Sequence, residues 1–382
     1  MHPMLKPALR RAWRDLQTVQ FGVTPAHAVV VGPLDLATGS LLERLDGTRG
    51  LPLLREEARA LGLPDGLVDR LVERLAKAGL IDDPTAGGAA ADALRRRPGG
   101  LNDRLRPDLA SLSVVHPEPG GGIRRLAARR AMRVQVRGAG RVGATLAAVL
   151  SASGVGRVEV LDGQCVESWD VAPGGLPARA AGKRRNEAAE RLVRGAAPGR
   201  LPREAELAEP MGGSPPGLAL VVVAPRDGLD AYAPDPVAAE SWIASGIPHL
   251  YTGVVEGTGV VGPLVLPGGS ACAKCLALGW EERDPAWPRL LAQWRSGRRE
   301  GVPACDMAVA TAVAGLAAAH VLAFLDGDLP ASTGARWKTS LPALAWASER
   351  IGPHAGCGCG AAGNAGGECA SGVVEPQDTM SG

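Results

Sequence analysis

Residues 133–143 read Arg133-Val134-Gln135-Val136-Arg137-Gly138-Ala139-Gly140-Arg141-Val142-Gly143. Arg133 to Arg137 reads as a strand and Gly143 to Ser153 as a helix, with the glycines in the turn between them. A second strand, Arg157 to Leu161, ends at Asp162. Strand, G-x-G-x-x-G turn, helix and an acidic residue closing the next strand form the nucleotide-binding fingerprint in its required context. Gly138 and Gly140 permit the tight turn and close backbone approach, and Gly143 permits close helix–strand packing. Helix N-terminal amides favour phosphate oxygens, and Asp162 is placed to accept from ribose hydroxyls. The same turn suits a nicotinamide cofactor, and it also serves helix–sheet packing with no ligand at all.

Beyond this stretch the alternation continues. Lys183 to Gly195 reads as a helix, Leu218 to Ala224 as a strand, Ala238 to Ser245 as a helix and His249 to Gly253 as a strand. Repeated strand–helix–strand units predict an α/β fold, Rossmann-like, with a parallel sheet covered on both faces. Residues 1–84 differ. Val19 to Val23 and Ala28 to Val31 read as short strands, followed by helical patterns over Ala37 to Leu45, Leu51 to Leu61 and Gly66 to Ala78. Leu80-Ile81 closes the unit as a strand, a small winged-helix-like α+β layout. Residues 85–122, rich in Gly, Pro and Arg, read as a linker with one strand, Leu112 to Val115. The main domain runs over 123–360, and 361–382 reads as a flexible tail.

Composition sets the outer bounds. A chain of 382 residues with 46% apolar and 21% charged residues has material for two to three domains and a real core. Lys+Arg 42 against Asp+Glu 40 leaves +2, so nothing calls for a nucleic-acid or anionic-membrane partner. The basic N-terminus is followed by no apolar stretch or small-residue cleavage site, so it does not read as a secretory signal. Met307 to Leu325 is uncharged and long enough to span a bilayer, but it is largely alanine, carries His320 and lies between Asp306 and Asp326. It reads as a buried core helix, and the protein as cytoplasmic.

The cysteines carry the second chemical signal. Cys272-x-x-Cys275 and Cys357-x-Cys359 are two close thiolate pairs that the fold can bring together as a four-sulfur structural zinc site, with the neighbouring His354 as an alternative ligand. Four thiolates leave no open coordination position. Cys305 precedes the apolar helix; a cysteine at a helix N-terminus has a lowered pKa and is a possible nucleophile, or else an ordinary small buried residue. Cys165 and Cys369 lie in no pattern. Trp280, Trp287 and Trp294 recur every seven residues, with Pro285 and Pro288 interrupting, and read as packing or a partner surface.

These pieces in this order resemble the ThiF/MoeB/HesA family, bacterial relatives of ubiquitin-activating enzymes, over about Ile123 to Gly360. The resemblance rests on the glycine turn, Gly154-Val155-Gly156 before Asp162, Gly182-Lys183-Arg184-Arg185, Gly259 to Pro267 running into the first cysteine pair, Cys305 and the closing pair. It implies an adenylyltransferase that uses ATP and Mg²⁺ to activate the C-terminal carboxylate of a small carrier protein or peptide, in a homodimer. Carried over, Gly138, Gly140, Arg141 and Gly143 would face the phosphates and Asp162 would hold the ribose. Lys183 or Arg185 would meet phosphate, Asp227 would hold Mg²⁺, the four cysteines zinc, and Cys305 would accept an acyl group. The chain departs from the family at three points. Arg141 replaces a small residue, Trp169 to Leu176 lacks the family's phosphate-contacting arginine, which leaves Arg179 or nothing in that role, and Ala224-Pro225-Arg226-Asp227-Gly228 replaces the family's metal-binding segment.

The first unit is similar to PqqD-like peptide-recognition domains on the ThiF-like partners of azoline-forming cyclodehydratases. That similarity implies an alternative: a scaffold that binds a ribosomal precursor's leader peptide through Val19 to Leu34 and the helix Gly66 to Ala78, and presents it to a YcaO-type cyclodehydratase.

Overall fold

The computed structural model describes residues 1–96, 101–208, 217–297 and 302–364. Arg97, Cys369 and residues 365–382 of the expected tail lie outside the described residues.

The N-terminal unit starts with Met4–Leu5 (β1), then a meander of Arg11–Trp13 (β2), Val19–Phe21 (β3) and Val29–Val31 (β4) in the order β2-β3-β4. Three helices follow, Leu36–Leu42 (α1), Leu51–Ala60 (α2) and Leu67–Lys77 (α3), and then Ile81–Asp82 (β5), antiparallel to β1. The amphipathic spacing of Val68, Leu71, Val72 and Leu75 explains α3: these four are its buried residues and face Val19, Phe21 and Val31 of the meander.

The expected linker is a packed helical layer. Gly88–Arg95 (α4), Leu101–Arg104 (α5), Arg106–Val115 (α6) and Gly121–Arg130 (α7) share a core of Ala91, Leu94, Leu105, Leu112, Ile123 and Leu126. The strand expected at Leu112 to Val115 is the last turn of α6. Leu105, Leu109 and Leu112 fall at helical spacing, and Pro107 sits in the first turn, where its missing N–H costs nothing. This layer joins the two larger units. Buried Lys6 donates to the carbonyls of Ser113 and Pro117, and Arg129 Nε donates to Asp326 Oδ1 at 2.7 Å.

The main domain alternates as expected, through Arg133–Arg137 (β6), Arg141–Ala152 (α8), Arg157–Leu161 (β7), Arg185–Ala196 (α9) and Leu218–Val223 (β8). Leu229–Tyr232 (α10), Pro236–Ala244 (α11), His249–Val255 (β9) and Thr258–Val265 (β10) continue it. Ala273–Arg283 (α12), Trp287–Ser296 (α13), Met307–Leu325 (α14), Ala335–Ser340 (β11), Ala347–Arg350 (β12) and Ala361–Asn364 (α15) complete the described chain. The sheet order is β12-β11-β10-β9-β8-β6-β7. Strands β7, β6, β8 and β9 run parallel, and β10 to β12 extend the sheet antiparallel.

Strand β6 has β7 on one side and β8 on the other, so the chain reverses its direction of winding at β6. Its C-terminal end is therefore the switch point where α/β sheets open a crevice. Below it, Val134, Val136, Leu220 and Val222 meet Leu146 and Leu150 of α8 and Val313, Ala317 and Val321 of α14. The small side chains of α8 and α14 let the two helices lie close together over the sheet. The Met307–Leu325 helix is thus part of the core, although by length and hydropathy it could cross a membrane.

Candidate nucleotide and metal sites

At the end of β6, Gly138 has φ +110, and a Cβ there would collide with the carbonyl oxygen of Ala224 at the end of β8. A Cβ on Gly143 would collide with the carbonyl of Gly138. These two glycines are required by the turn and by the approach of α8 to the sheet. Gly140 is different, because the atoms nearest its missing Cβ are Cγ, Cα and Cβ of Arg226, from 3.3 Å. Arg226 thus lies along the turn.

Asp162 closes β7 as expected, and its carboxylate is already engaged. Oδ2 accepts from Ala139 N at 3.0 Å, inside the glycine turn, and Oδ1 accepts from Gln164 N at 3.0 Å. Arg185, at the start of α9 and 1% exposed, stands behind it with Nη1 3.4 Å from Asp162 Oδ2. The main partner of Arg185 is Asp170, 2% exposed, whose Oδ2 lies 2.9 Å from Nη2 and accepts from Nε at 3.1 Å. The same carboxylate's Oδ1 accepts from Arg226 Nε at 2.9 Å. Arg226 also reaches Glu167 at 3.2 Å and lies 5.4 Å from the centroid of the Trp169 ring.

Arg141, the first residue of α8, donates to two carbonyls, Trp169 O at 2.6 Å and Cys305 O at 2.7 Å. It ties the loop after β7 to the strand of chain leading into α14. Arg141, Trp169, Asp170, Arg226, Val302, Pro303 and Cys305 enclose a hollow of about 30 Å³. Sequence reasoning missed Glu167, Trp169, Asp170 and Arg226. The clue was that Arg226 stands beside Asp227 at the end of β8, where a switch-point cleft draws its side chains.

Asp227 follows Arg226, half-buried, with Oδ1 accepting from Leu229 N at 3.2 Å. Lys183 is exposed and faces another hollow, with Arg179 and Arg191, that shares no residue with the cleft. Cys305 requires a correction. Asp306, not the thiol, caps α14, accepting from Ala308 N at 2.9 Å and Val309 N at 3.2 Å. Burial pushes the Cys305 thiol up rather than down, with Arg141 opposing and the neighbouring Asp306 adding to the rise.

The four paired cysteines come together beside the antiparallel half of the sheet. Cys272 caps α12, Cys275 lies in its first turn, and Cys357 and Cys359 lie in the turn after β12. Their Sγ atoms lie within 4.8 Å of one another, with Cys272–Cys275 at 3.8 Å and Cys272–Cys357 and Cys275–Cys359 at 3.6 Å. Thiolates about 2.3 Å from a central zinc at tetrahedral corners are about 3.8 Å apart, whereas a disulfide is about 2.0 Å long. The donor set and spacing fit zinc. His354 is not part of the cluster: its Nε2 lies 2.9 Å from Glu282 and its Nδ1 accepts from Gly356 N.

Beside this cluster Arg336, 1% exposed, lies against the stacked pair of Tyr232 and Trp280, 4.7 and 4.8 Å from their centroids, with Nε bonded to Glu349 at 2.8 Å. Trp280, Trp287 and Trp294 do form a series of ring contacts, at 4.7 and 5.6 Å, bridging α12 and α13 despite the prolines.

A nucleotide-type crevice at the switch point of a doubly wound sheet, with a four-cysteine knuckle on its antiparallel extension, defines the class of protein. The ThiF family model matches residues 118–361, and the chain belongs to the ThiF family. Among solved structures it is similar to E. coli MccB with ATP, at 16% identity and TM-score 0.63, covering 94% of this chain and 99% of that one. It is similar to E. coli MccB with MccA at 15% identity and TM-score 0.64, with the same coverage. PaaA matches at 18% identity and TM-score 0.63, covering 91% of this chain and 99% of that one. At these identities the likeness shows the fold, and its coverage takes in most of the N-terminal unit as well. No curated protein matches the chain.

Proposed function

We propose that the protein is an ATP-dependent adenylyltransferase acting on the C-terminal carboxylate of a peptide or small carrier protein. The observation that carries this reading is Asp162, pinned at the end of β7 against Ala139 N of the glycine turn, at the switch point of a ThiF-family sheet. Asp162 holds the ribose, and the amides of Gly138 to Gly143 face the phosphates, with Arg185 orienting Asp162 from behind. Asp227 holds magnesium, which neutralises phosphate charge when bound. A carboxylate oxygen of the acceptor attacks the α-phosphorus, and pyrophosphate leaves. Cys272, Cys275, Cys357 and Cys359 hold zinc and fasten the end of the main domain. The acyl acceptor role for Cys305 needs an external base, because the buried thiol is held protonated.

The neighbours MccB with ATP and MccB with MccA support a nucleotide and a peptide as the two ligands. In the N-terminal unit β4 is an edge strand with Val30 48% exposed, beside α3, whose Arg74 donates to Gly32 O at 2.9 Å. An extended leader peptide adds to that edge through main-chain bonds. The protein works in the cytoplasm as a homodimer.

The test is pyrophosphate–ATP exchange by the zinc-loaded chain with peptides encoded beside its gene. Exchange that depends on one peptide supports the reading; no exchange with any of them counts against it. The second reading is a scaffold that only presents a leader peptide to a YcaO-type cyclodehydratase. The observation favouring it is the small hollow left between Arg141, Arg226 and residues 302–305. It expects peptide binding with no exchange.

A further inference from the structure

The family's usual phosphate arginine is missing from Trp169 to Leu176, Lys183 faces away, and Arg185 is buried against Asp170 and Asp162. Yet two other arginines stand at the glycine turn. Arg141 occupies the first position of α8, where the helix dipole is already positive, and it makes no ion pair among the described residues. A cation there without a carboxylate partner is electrostatically unfavourable unless an anion joins it. Arg226 runs along Gly140, clamped by Asp170 and Glu167 and stacked on Trp169, and its Nη2 is buried with no hydrogen-bond partner. Buried guanidinium N–H groups are rarely left unsatisfied. Arg185, 1% exposed, likewise has a buried Nη2 with no hydrogen-bond partner: its contact to Asp170 is an ion pair off the N–H direction. Three guanidiniums thus surround the turn: Arg185 and Arg226, held by carboxylates and each with an unsatisfied Nη2, and Arg141, held by two carbonyls.

We propose that Arg141 and Arg226 form the phosphate clamp of the nucleotide site, replacing the arginine absent from the segment after β7. Asp170 and Glu167 are positioning residues that hold Arg226 in a fixed orientation across the glycine turn. The Trp169 ring restricts its remaining freedom. This rests on the adenylyltransferase reading for the identity of the anion, a nucleoside triphosphate. It specifies which side chains bind the phosphates.

The experiment is calorimetric titration of the full chain with ATP and, separately, with adenosine, for the wild type, Arg226→Ala, Arg226→Lys and Arg141→Gln. Loss of a charge-assisted contact predicts roughly 10- to 100-fold weaker ATP binding for Arg226→Ala and Arg141→Gln. Arg226→Lys keeps the charge and should recover part of that loss. Adenosine affinity should stay within about twofold throughout, because the clamp touches only phosphate. Equal weakening of ATP and adenosine would show a merely structural role and overturn the proposal, as would unchanged ATP affinity in the substituted chains. Arg226→Lys guards against misfolding, since it keeps a cation beside Asp170 and Glu167: if it binds ATP like the wild type while Arg226→Ala binds neither ligand, the clamp geometry is refuted. A wild type that binds adenosine but not ATP refutes the clamp alone. One that binds neither refutes the adenylyltransferase reading with it.

Discussion

The cysteine cluster and the glycine cleft are both built where loops leave the main sheet, but they are held in opposite ways. The cluster brings four like groups, all thiols, within 4.8 Å of one another. The cleft brings unlike groups together: Arg185 and Arg226 with Asp162, Glu167 and Asp170. Four thiolates at that spacing repel one another unless a cation joins them, so on the zinc reading the cluster is held by its metal. The cleft is electrostatically satisfied by its own side chains, apart from Arg141 and the leftover guanidinium donors. A site of the first kind should fail without its ligand, whereas one of the second kind should keep its geometry with or without one.

The largest expected effect lies at the cluster. Removing the metal with a strong chelator, or replacing Cys272 and Cys357 by serine, should cost metal-linked stability on the order of 10 kcal/mol. The purified chain should contain one zinc by atomic absorption, and its melting temperature should fall sharply on chelation. A chelator-insensitive melt would erase the contrast between the two regions.

Next comes the cleft's central ion pair. Asp170→Asn leaves Arg185, 1% exposed, and Arg226 facing a neutral group, and should cost about 3–5 kcal/mol in urea unfolding. The loss should occur with zinc still bound, which separates the two regions. A loss of less than about 1 kcal/mol would mean that the cleft is not held by its own charges.

His249 gives a third handle, between the two. It is fully buried between Trp242 and Tyr251, and burial lowers its pKa to about 4. In the unfolded chain a histidine titrates near 6.5, so between about pH 6.5 and 4 the unfolded state binds the extra proton. The native state therefore loses stability as pH falls through that window, by on the order of 3 kcal/mol, and the full contribution is present above it. Urea unfolding at pH 7 and pH 4.5, compared with His249→Phe, measures it: the variant should be less acid-sensitive than the wild type. Equal acid sensitivity would show that His249 is protonated in the native state.

The smallest effect concerns the thiol at the cleft's rim. With its pKa raised by burial, Cys305 should react with iodoacetamide at neutral pH about tenfold more slowly than exposed Cys165. Its rate should keep rising with pH above about 8.5, where an ordinary thiol levels off. Faster labelling of Cys305, read by peptide mass spectrometry, would restore it as an activated nucleophile.

What was legible in the sequence followed from short-range constraint. The glycine turn was readable because Gly138 and Gly143 each face a backbone carbonyl that admits no side chain. The cysteine pairs were readable because ligand spacing is local on each loop. The alternating strands and helices from Arg133 onward stood out because a doubly covered sheet demands apolar runs. Residues 85–122 misled because the glycines, prolines and arginines among the described ones lie mostly at helix ends and on outer faces, while Leu105, Leu109 and Leu112 carry the packing. The thiol at Cys305 misled because the neighbouring Asp306 takes the helix amides itself. Arg226 and Asp170 stayed hidden because 56 residues separate them, and only the fold brings their charges together.

The central claim is adenylyl transfer at the glycine cleft, and the nucleotide products test it most directly. The zinc-loaded chain is incubated with ATP, magnesium and the peptides encoded beside its gene, and followed by phosphorus NMR. AMP and pyrophosphate should form only with the right peptide, and their formation should be lost in Asp162→Ala and reduced in Arg226→Ala. Formation of ADP and phosphate instead, or no turnover with any peptide, would contradict it.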